Sequence, residues 1–242
     1  DALVAEDLAP LIALRDAEID GPGRGLAYQL VEALGSLPRK SSAPLVRAIT
    51  ADNRKTLRQL GVRIGMESVY VPAVIKPRAA RLRALLWQVH MDEAIRPPPT
   101  PGLTSITPDP DVTEGFYEAS GYRLIGGRAL RIDILDRLAV MMLRQGRRGP
   151  FELSHEILSL LGLSAELALP VVAALGYRMR DTDDGPRLVR TRPGRKTAKT
   201  SPKEKSQRHP SPKNAAKRPK PRQRPVDPDS PFAKLQELRL VK

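Results

Sequence analysis

Between Arg192 and Arg224 the chain carries 13 lysines and arginines, a single acid (Glu204) and almost no apolar side chain. A segment of that kind cannot offset the entropy of ordering its backbone by burying surface, so no core can include it. Any fold must be built mainly from the 191 residues ahead of it. Those 191 residues are close to neutral, with 25 basic against 23 acidic side chains, although the whole chain carries +14. The composition predicts a disordered basic arm over residues 192–228. Within it Arg195, Lys196, Lys217, Arg218, Lys220 and Arg222 are candidates for contact with nucleic-acid phosphates, whose counterions are released when protein cations replace them. A solubilising tether is the plainer alternative.

The remaining chain is long enough to bury a core. Aromatic residues make up only 4% of the sequence, so that core must be mainly Leu, Val, Ile and Ala. Cysteine is absent, which excludes disulfides and thiolate metal sites. No apolar run approaches the roughly 20 residues of a membrane span, and no leader sequence is visible, so a cytoplasmic location is expected. The sequence begins at Asp1 without a methionine and reads as a piece of a longer protein.

Hydrophobic periodicity divides the first region into helices. Val4, Leu8, Leu11 and Ile12 share a helical face, with the loop Asp20–Gly25 expected to stop that helix. Leu26, Leu30, Ala33 and Leu34 form a second stripe, and a third helix is expected from Asp52 to Leu60, ending at Gly61. Residues 62–72 then alternate as a β hairpin turning near Met66–Ser68. Pro77 suits the first turn of another helix, in which Leu82, Leu85, Leu86 and Val89 should face inward. Arg78, Arg81 and Arg83 should lie largely on the opposite side, with Trp87 at the edge. Residues 96–112 hold too many prolines for a helix and read as a linker.

The third region is patterned more clearly. Leu130, Ile134, Leu138 and Met141 recur at helical spacing. Ser154 should cap a short helix to Leu161, with Gly162 supplying a left-handed terminus, and Ser164 should cap a helix carrying Leu167, Val171 and Leu175 before Gly176. Pro170 falls inside that last helix and should kink or shorten it. Two strand-like runs, Tyr177–Arg180 and Arg187–Arg190, flank a turn. Helix, helix, helix and hairpin is the order of a winged helix, which either touches nucleic acid or serves only as a packing unit. The expected fold is mainly α with small β hairpins, an α+β class. It comprises a helical domain (1–95), a linker (96–112), a winged-helix-like domain (113–191), the basic arm (192–228) and a short C-terminal helix (229–242). In that helix Phe232, Leu235 and Leu238 make an apolar stripe that needs a docking surface, because so short a helix is marginal alone in water.

Motifs for catalysis fail their context. Asp92–Ile95 imitates a helicase acidic box but follows a helix and precedes three prolines, and no phosphate-binding G-x-x-x-x-G-K-[ST] occurs anywhere. Gly194–Thr197 lacks the first glycine of such a loop. His155–Glu156 lacks the second histidine of a zinc-protease motif, and His90, His155 and His209 are too scattered for a zinc site. No catalytic residues are expected, and no cofactor or metal within this chain.

The run "LRQLGVRIGMESVYVPAVIKPRAARLRALLW" (57–87) resembles a segment that follows the motor domains of alphaproteobacterial superfamily II RNA helicases, relatives of the mitochondrial degradosome helicase. "PPPTPGLTSI" (97–106), "GFYEASGYRLIGGRALRIDILDRLA" (115–139), "LGYR" (175–178) and "DSPFAKLQELR" (229–239) are similar to that family as well. The resemblance implies the C-terminal accessory region of a DExH-type, ATP-dependent RNA helicase, with ATP and Mg belonging to motor domains outside this chain. It implies single-stranded RNA and the protein's own motor domains as partners; the C-terminal helix is expected to dock on the chain's own helical core, with a separate partner such as a ribonuclease as the alternative. Single strands are held by cationic grooves and stacking faces. Arg63, Lys76, Arg78, Arg81 and Arg83 are therefore the candidate phosphate contacts, with Tyr70 and Trp87 as stacking candidates. A stand-alone winged-helix DNA-binding regulator and a non-enzymatic interaction scaffold are the alternatives.

Overall fold

The computed structural model describes residues 2–182 and 185–191, which belong to one compact unit. The arm candidates Arg195, Lys196, Lys217, Arg218, Lys220 and Arg222, and the docking residues Phe232, Leu235 and Leu238, lie outside the described residues. The architecture is α+β, with helices predominating over three small antiparallel sheets.

The first half runs α1 (Ala2–Asp7), α2 (Ala9–Asp16), α3 (Gly21–Glu32), β1 (Ser36–Pro38), α4 (Ala43–Ala48), α5 (Ala51–Gln59), β2 (Arg63–Ile64) and β3 (Ser68–Tyr70). A 3-10 turn (Pro72–Ile75) and α6 (Pro77–His90) complete it. The helix expected at the N-terminus divides at Leu8, because Pro10 occupies the first turn of α2, where its missing N–H costs nothing. The Asp20–Gly25 stretch does not act as a stop. Gly21, Pro22, Gly23, Arg24 and Gly25 form the opening turns of α3, with Pro22 again in the first turn. Thr50 caps α5 by accepting the Asn53 N–H at 3.1 Å, and Gly61 follows its end at φ +83°. The hairpin forms as the alternation requires, with Arg63 opposite Tyr70 and Ile64 opposite Val69. It gains a third strand that periodicity does not reveal, since β1 pairs with β3 on the other edge.

The α6 helix is turned relative to its leucines. Its buried residues are Ala79, Ala80, Arg83, Ala84 and Gln88, whereas Leu85 and Val89 are 41% and 63% exposed. Leu82 and Leu86 are half-buried against the first core, which is built from residues such as Leu14, Leu26, Leu30, Leu57 and Val69. The alanine face lets neighbouring backbone approach closely, and α7 (Glu114–Ala119) packs there, with Phe116 and Tyr117 beside Ala84 and Trp87.

The second half continues with β4 (Ser105–Ile106), which precedes α7, then β5 (Tyr122–Ile125), β6 (Arg128–Arg131), α8 (Ile132–Gly146), α9 (His155–Leu161), α10 (Ala165–Ala174), β7 (Tyr177–Thr182) and β8 (Gly185–Arg190). Leu130 belongs to β6 and not to the helix its spacing suggested. The β5–β6 turn is Gly126–Gly127, both at positive φ (+56° and +76°), the conformation of a two-residue hairpin turn. Ser154 caps α9 and Gly162 ends it at φ +64°, as expected. Ser164 sits at the start of α10 without a side-chain cap bond. α10 runs unbroken through Pro170. Both Pro170 and Glu166 are exposed, so water can serve the carbonyl that loses its donor. α8, α9, α10 and the β7–β8 hairpin follow the winged-helix order, and Phe151 bridges Leu188 as a one-residue third strand.

The proline-rich stretch is not a free tether. The Gln88 side chain accepts the Arg96 N–H at 2.7 Å, the Tyr122 hydroxyl donates to the Leu103 carbonyl at 2.9 Å, and Thr104 Oγ1 donates to the Leu161 carbonyl at 2.9 Å. Further along, β4 pairs with β6. Proline forbids helix here, but it does not forbid an extended strip held by its neighbours. Among the described residues no single helix is long and apolar enough to cross a membrane.

Candidate nucleic-acid interface

A groove of about 700 Å³ runs along α6 between the hairpin, the proline strip and β6. Its cations are Arg63, Lys76, Arg81, Arg96 and Arg131, and among the described residues its only carboxylate is Asp133. Asp133 is already bound by Arg131, with Nε–Oδ1 at 2.6 Å and Nη2–Oδ2 at 2.9 Å. The remaining charge is therefore positive.

Each element brings its cation for a local reason. The hairpin register sets Arg63 directly opposite Tyr70, so both side chains share one face. Lys76 precedes the first turn of α6, and Arg81, Leu85 and Gln88 follow at helical spacing along the same lining. That stripe, from Lys76 to Gln88, is about 18 Å long at the helical rise. Gln88 is buried, and its amide fixes the Arg96 backbone from which the proline strip departs. Arg96 and Arg131 were not among the sequence candidates, because no pattern links either to the α6 stripe.

Four of the candidates are placed otherwise, Trp87 in the packed position that was the plainer alternative for it. Arg83 is fully buried and donates to the Val74 carbonyl, Ser36 Oγ and the Glu118 carbonyl, each at 3.2 Å. It holds three elements together and cannot reach a phosphate. Tyr70 is 1% exposed, so it contributes to the groove floor without offering a stacking face. Trp87 packs on the cluster of Phe116, Tyr117 and Tyr122 and lies against Gly115, where no Cβ would fit. Arg78 lies outside the groove and is held by Asp7 at 2.7 Å and Glu6 at 3.0 Å. Arg63, Lys76 and Arg81 are the sequence candidates that come together. The one well-exposed aromatic among the described residues is Tyr28 on α3, at 65% exposure, and it does not line the groove.

Burial sets the titration of the floor. The Tyr70 and Tyr122 phenols are both pushed up, chiefly by burial, with Arg63 and Arg131 respectively acting in the opposite direction. Both hydroxyls therefore stay protonated at neutral pH. Among the described residues no three His, Asp or Glu side chains gather as a metal site would require.

The hairpin that carries Arg63 is fastened to α8 by Asp136, whose Oδ1 accepts the Glu67 N–H at 2.8 Å and the Ser68 N–H at 3.2 Å. Gly65 leaves room for this carboxylate, since any Cβ there would run into it. Burial raises the Asp136 acid, against the pull of the two N–H groups and of Arg123 and Arg63. An acid raised in the fold binds its proton more tightly there than in the unfolded chain. Its contribution to stability is thus full below the unfolded value of 3.8 and is lost as pH rises through the higher folded value. Asp136→Asn keeps an acceptor without the charge, so its stability relative to the parent should improve as pH rises across the carboxylate range. Asp136→Ala orphans two N–H groups and should cost about 2–4 kcal/mol at low pH, and less as pH rises and the parent loses the same contribution. Urea unfolding between about pH 3 and 7 measures both effects. Parallel pH profiles for parent and Asp136→Asn would contradict the assignment.

No known family model, curated protein or solved structure matches this chain.

Proposed function

We propose that this chain is the C-terminal accessory region of an ATP-dependent RNA helicase and that the α6 groove holds single-stranded nucleic acid for a motor located elsewhere in the parent protein. The observation that carries this reading is the groove itself, in which five cations surround one carboxylate that is already paired. A strand's phosphates supply the charge such a lining lacks, and displaced counterions supply the driving force. Partner motor domains, ATP and Mg come with the family resemblance of residues 57–87 and belong to the same proposal, as does a ribonuclease partner.

The winged-helix order favours a second reading, a stand-alone DNA-binding regulator. Its recognition helix would be α10, whose exposed positions are Ala165, Glu166, Leu167, Pro170, Ala173 and Ala174. Base reading needs Arg, Lys, Asn or Gln donors in the major groove, and this face has none. The groove is the better supported surface.

The test is the double charge reversal Arg63→Glu with Arg81→Glu in the full chain. Affinity for single-stranded RNA should fall similarly across sequences, and the log–log salt slope should flatten by about 1.4 units, at roughly 0.7 per lost contact. Both side chains are exposed, so the melting temperature should hold. Unchanged affinity and slope in a folded double variant would exclude the groove as the binding site.

A further inference from the structure

Along α6 the groove changes character. Its first turns present Lys76 and Arg81, with Arg63 across from them, whereas its later lining adds an apolar surface, Leu85, Ile95, Pro97, Pro98, Pro99 and Pro101, beside Gln88 and Arg96. Leu85 is 41% and Ile95 71% exposed, so two large aliphatic side chains stand in water inside a cationic groove. Leaving them there forfeits burial that the fold obtains elsewhere, for Ala84 and Leu130 among others. A lining meant only for phosphates has no use for aliphatic side chains, and one meant for an apolar peptide has none for five cations.

An unpaired polynucleotide meets both demands, because its backbone is anionic and its base faces are apolar. Resting on the proposed single-strand groove, we infer that the strand binds with its backbone along Arg63, Lys76 and Arg81 and its bases turned inward against Leu85, Ile95 and the prolines. The surface therefore selects unpaired strands, since a duplex keeps its base faces stacked and cannot offer them. Rigid proline rings and aliphatic side chains read a base face without reading its identity, so sequence preference is weak.

The experiment compares three RNA-length ligands on the full chain by fluorescence anisotropy: an ordinary 12-nucleotide single strand, an abasic strand of equal length and charge, and a blunt duplex. The ordinary strand should bind about 10-fold more tightly than the abasic one, because only its base faces can be buried against the aliphatic and proline lining. In Leu85→Ser with Ile95→Ser that preference should disappear, with abasic affinity unchanged, because the cations are untouched. Both substitutions are at exposed positions, so a retained melting temperature confirms a folded variant. Equal affinity of the parent for ordinary and abasic strands would overturn the inward-base arrangement while leaving the groove a phosphate site. Tighter binding of the duplex near 0.5 M salt, where the electrostatic pull of residues 192–224 is screened, would overturn it as well. A parent chain that binds none of the three removes the groove's proposed function instead.

Discussion

Replacing Arg83 with methionine should lower the stability of the fold by about 3 kcal/mol, the largest loss expected from any single side chain on α6. The guanidinium is fully buried and has three acceptors, one each from the 3-10 turn, β1 and α7. Methionine fills much of the space but leaves the Val74 and Glu118 carbonyls and the Ser36 hydroxyl without that donor, at about 1–3 kcal/mol each. Opposing this is relief from burying a charge. Burial pushes the Arg83 guanidinium down to about 10 against the opposing pull of Glu118, a net penalty of roughly 3 kcal/mol at 1.36 kcal/mol per unit. Even so, Arg83 stays protonated at neutral pH. The acceptors outweigh the relief, because the Val74 carbonyl and Ser36 hydroxyl lose this donor together, while the Glu118 carbonyl keeps the Gly121 N–H at 3.1 Å. Arg83→Lys should fare little better, since one ammonium cannot span three elements in the way a planar fork does. Denaturant midpoints followed by circular dichroism give the measurement, with Arg81→Met as an exposed control expected to change little. An Arg83→Met protein as stable as its parent would show that the guanidinium bonds contribute nothing net.

Deleting residues 192–224 should produce the largest change in binding. That segment holds 13 of the chain's 41 cations and one of its 27 acids. If about half of those cations meet phosphates, the single-strand salt slope should flatten by about 4 units, at roughly 0.7 per contact. Affinity at low salt should then fall by orders of magnitude, whereas near 0.5 M salt, where screening has removed most of the electrostatic term, the two chains should converge. Any preference for ordinary over abasic strands should survive the deletion, because it belongs to Leu85 and Ile95 in the groove. Parent-like affinity and slope in the truncated chain would reduce the segment to a tether. Combining the deletion with Arg63→Glu and Arg81→Glu separates the two contributions. If arm and groove act independently, their effects on binding free energy should add.

Local chemistry determined much of this protein directly from its sequence. A threonine before a polar helix, a serine before His155 and a left-handed glycine after Leu161 each satisfy orphan backbone groups within a few residues, so Thr50, Ser154 and Gly162 mark their helix ends without outside help. The hairpin at Arg63–Tyr70 and the winged-helix order are local in the same sense. The concentration of charge after Arg192 requires nothing but counting. Only the tertiary structure decided which face of α6 turns inward. Periodicity marks the leucines as apolar, yet the neighbours approach along the alanines, and this leaves Leu85 to the groove and carries Arg83 into the core. Arginine is almost never fully buried, so nothing in the residue type announced it. The same holds for β1, β4 and the proline strip, whose partners lie in β3, β6 and α6, the strip's through the Gln88 amide. Pairing of that kind depends on what the rest of the chain brings alongside, and three residues of sequence carry no record of it. The groove is such a product: its cations come from β2, α6, the proline strip and β6, and only the packing of those elements makes them neighbours.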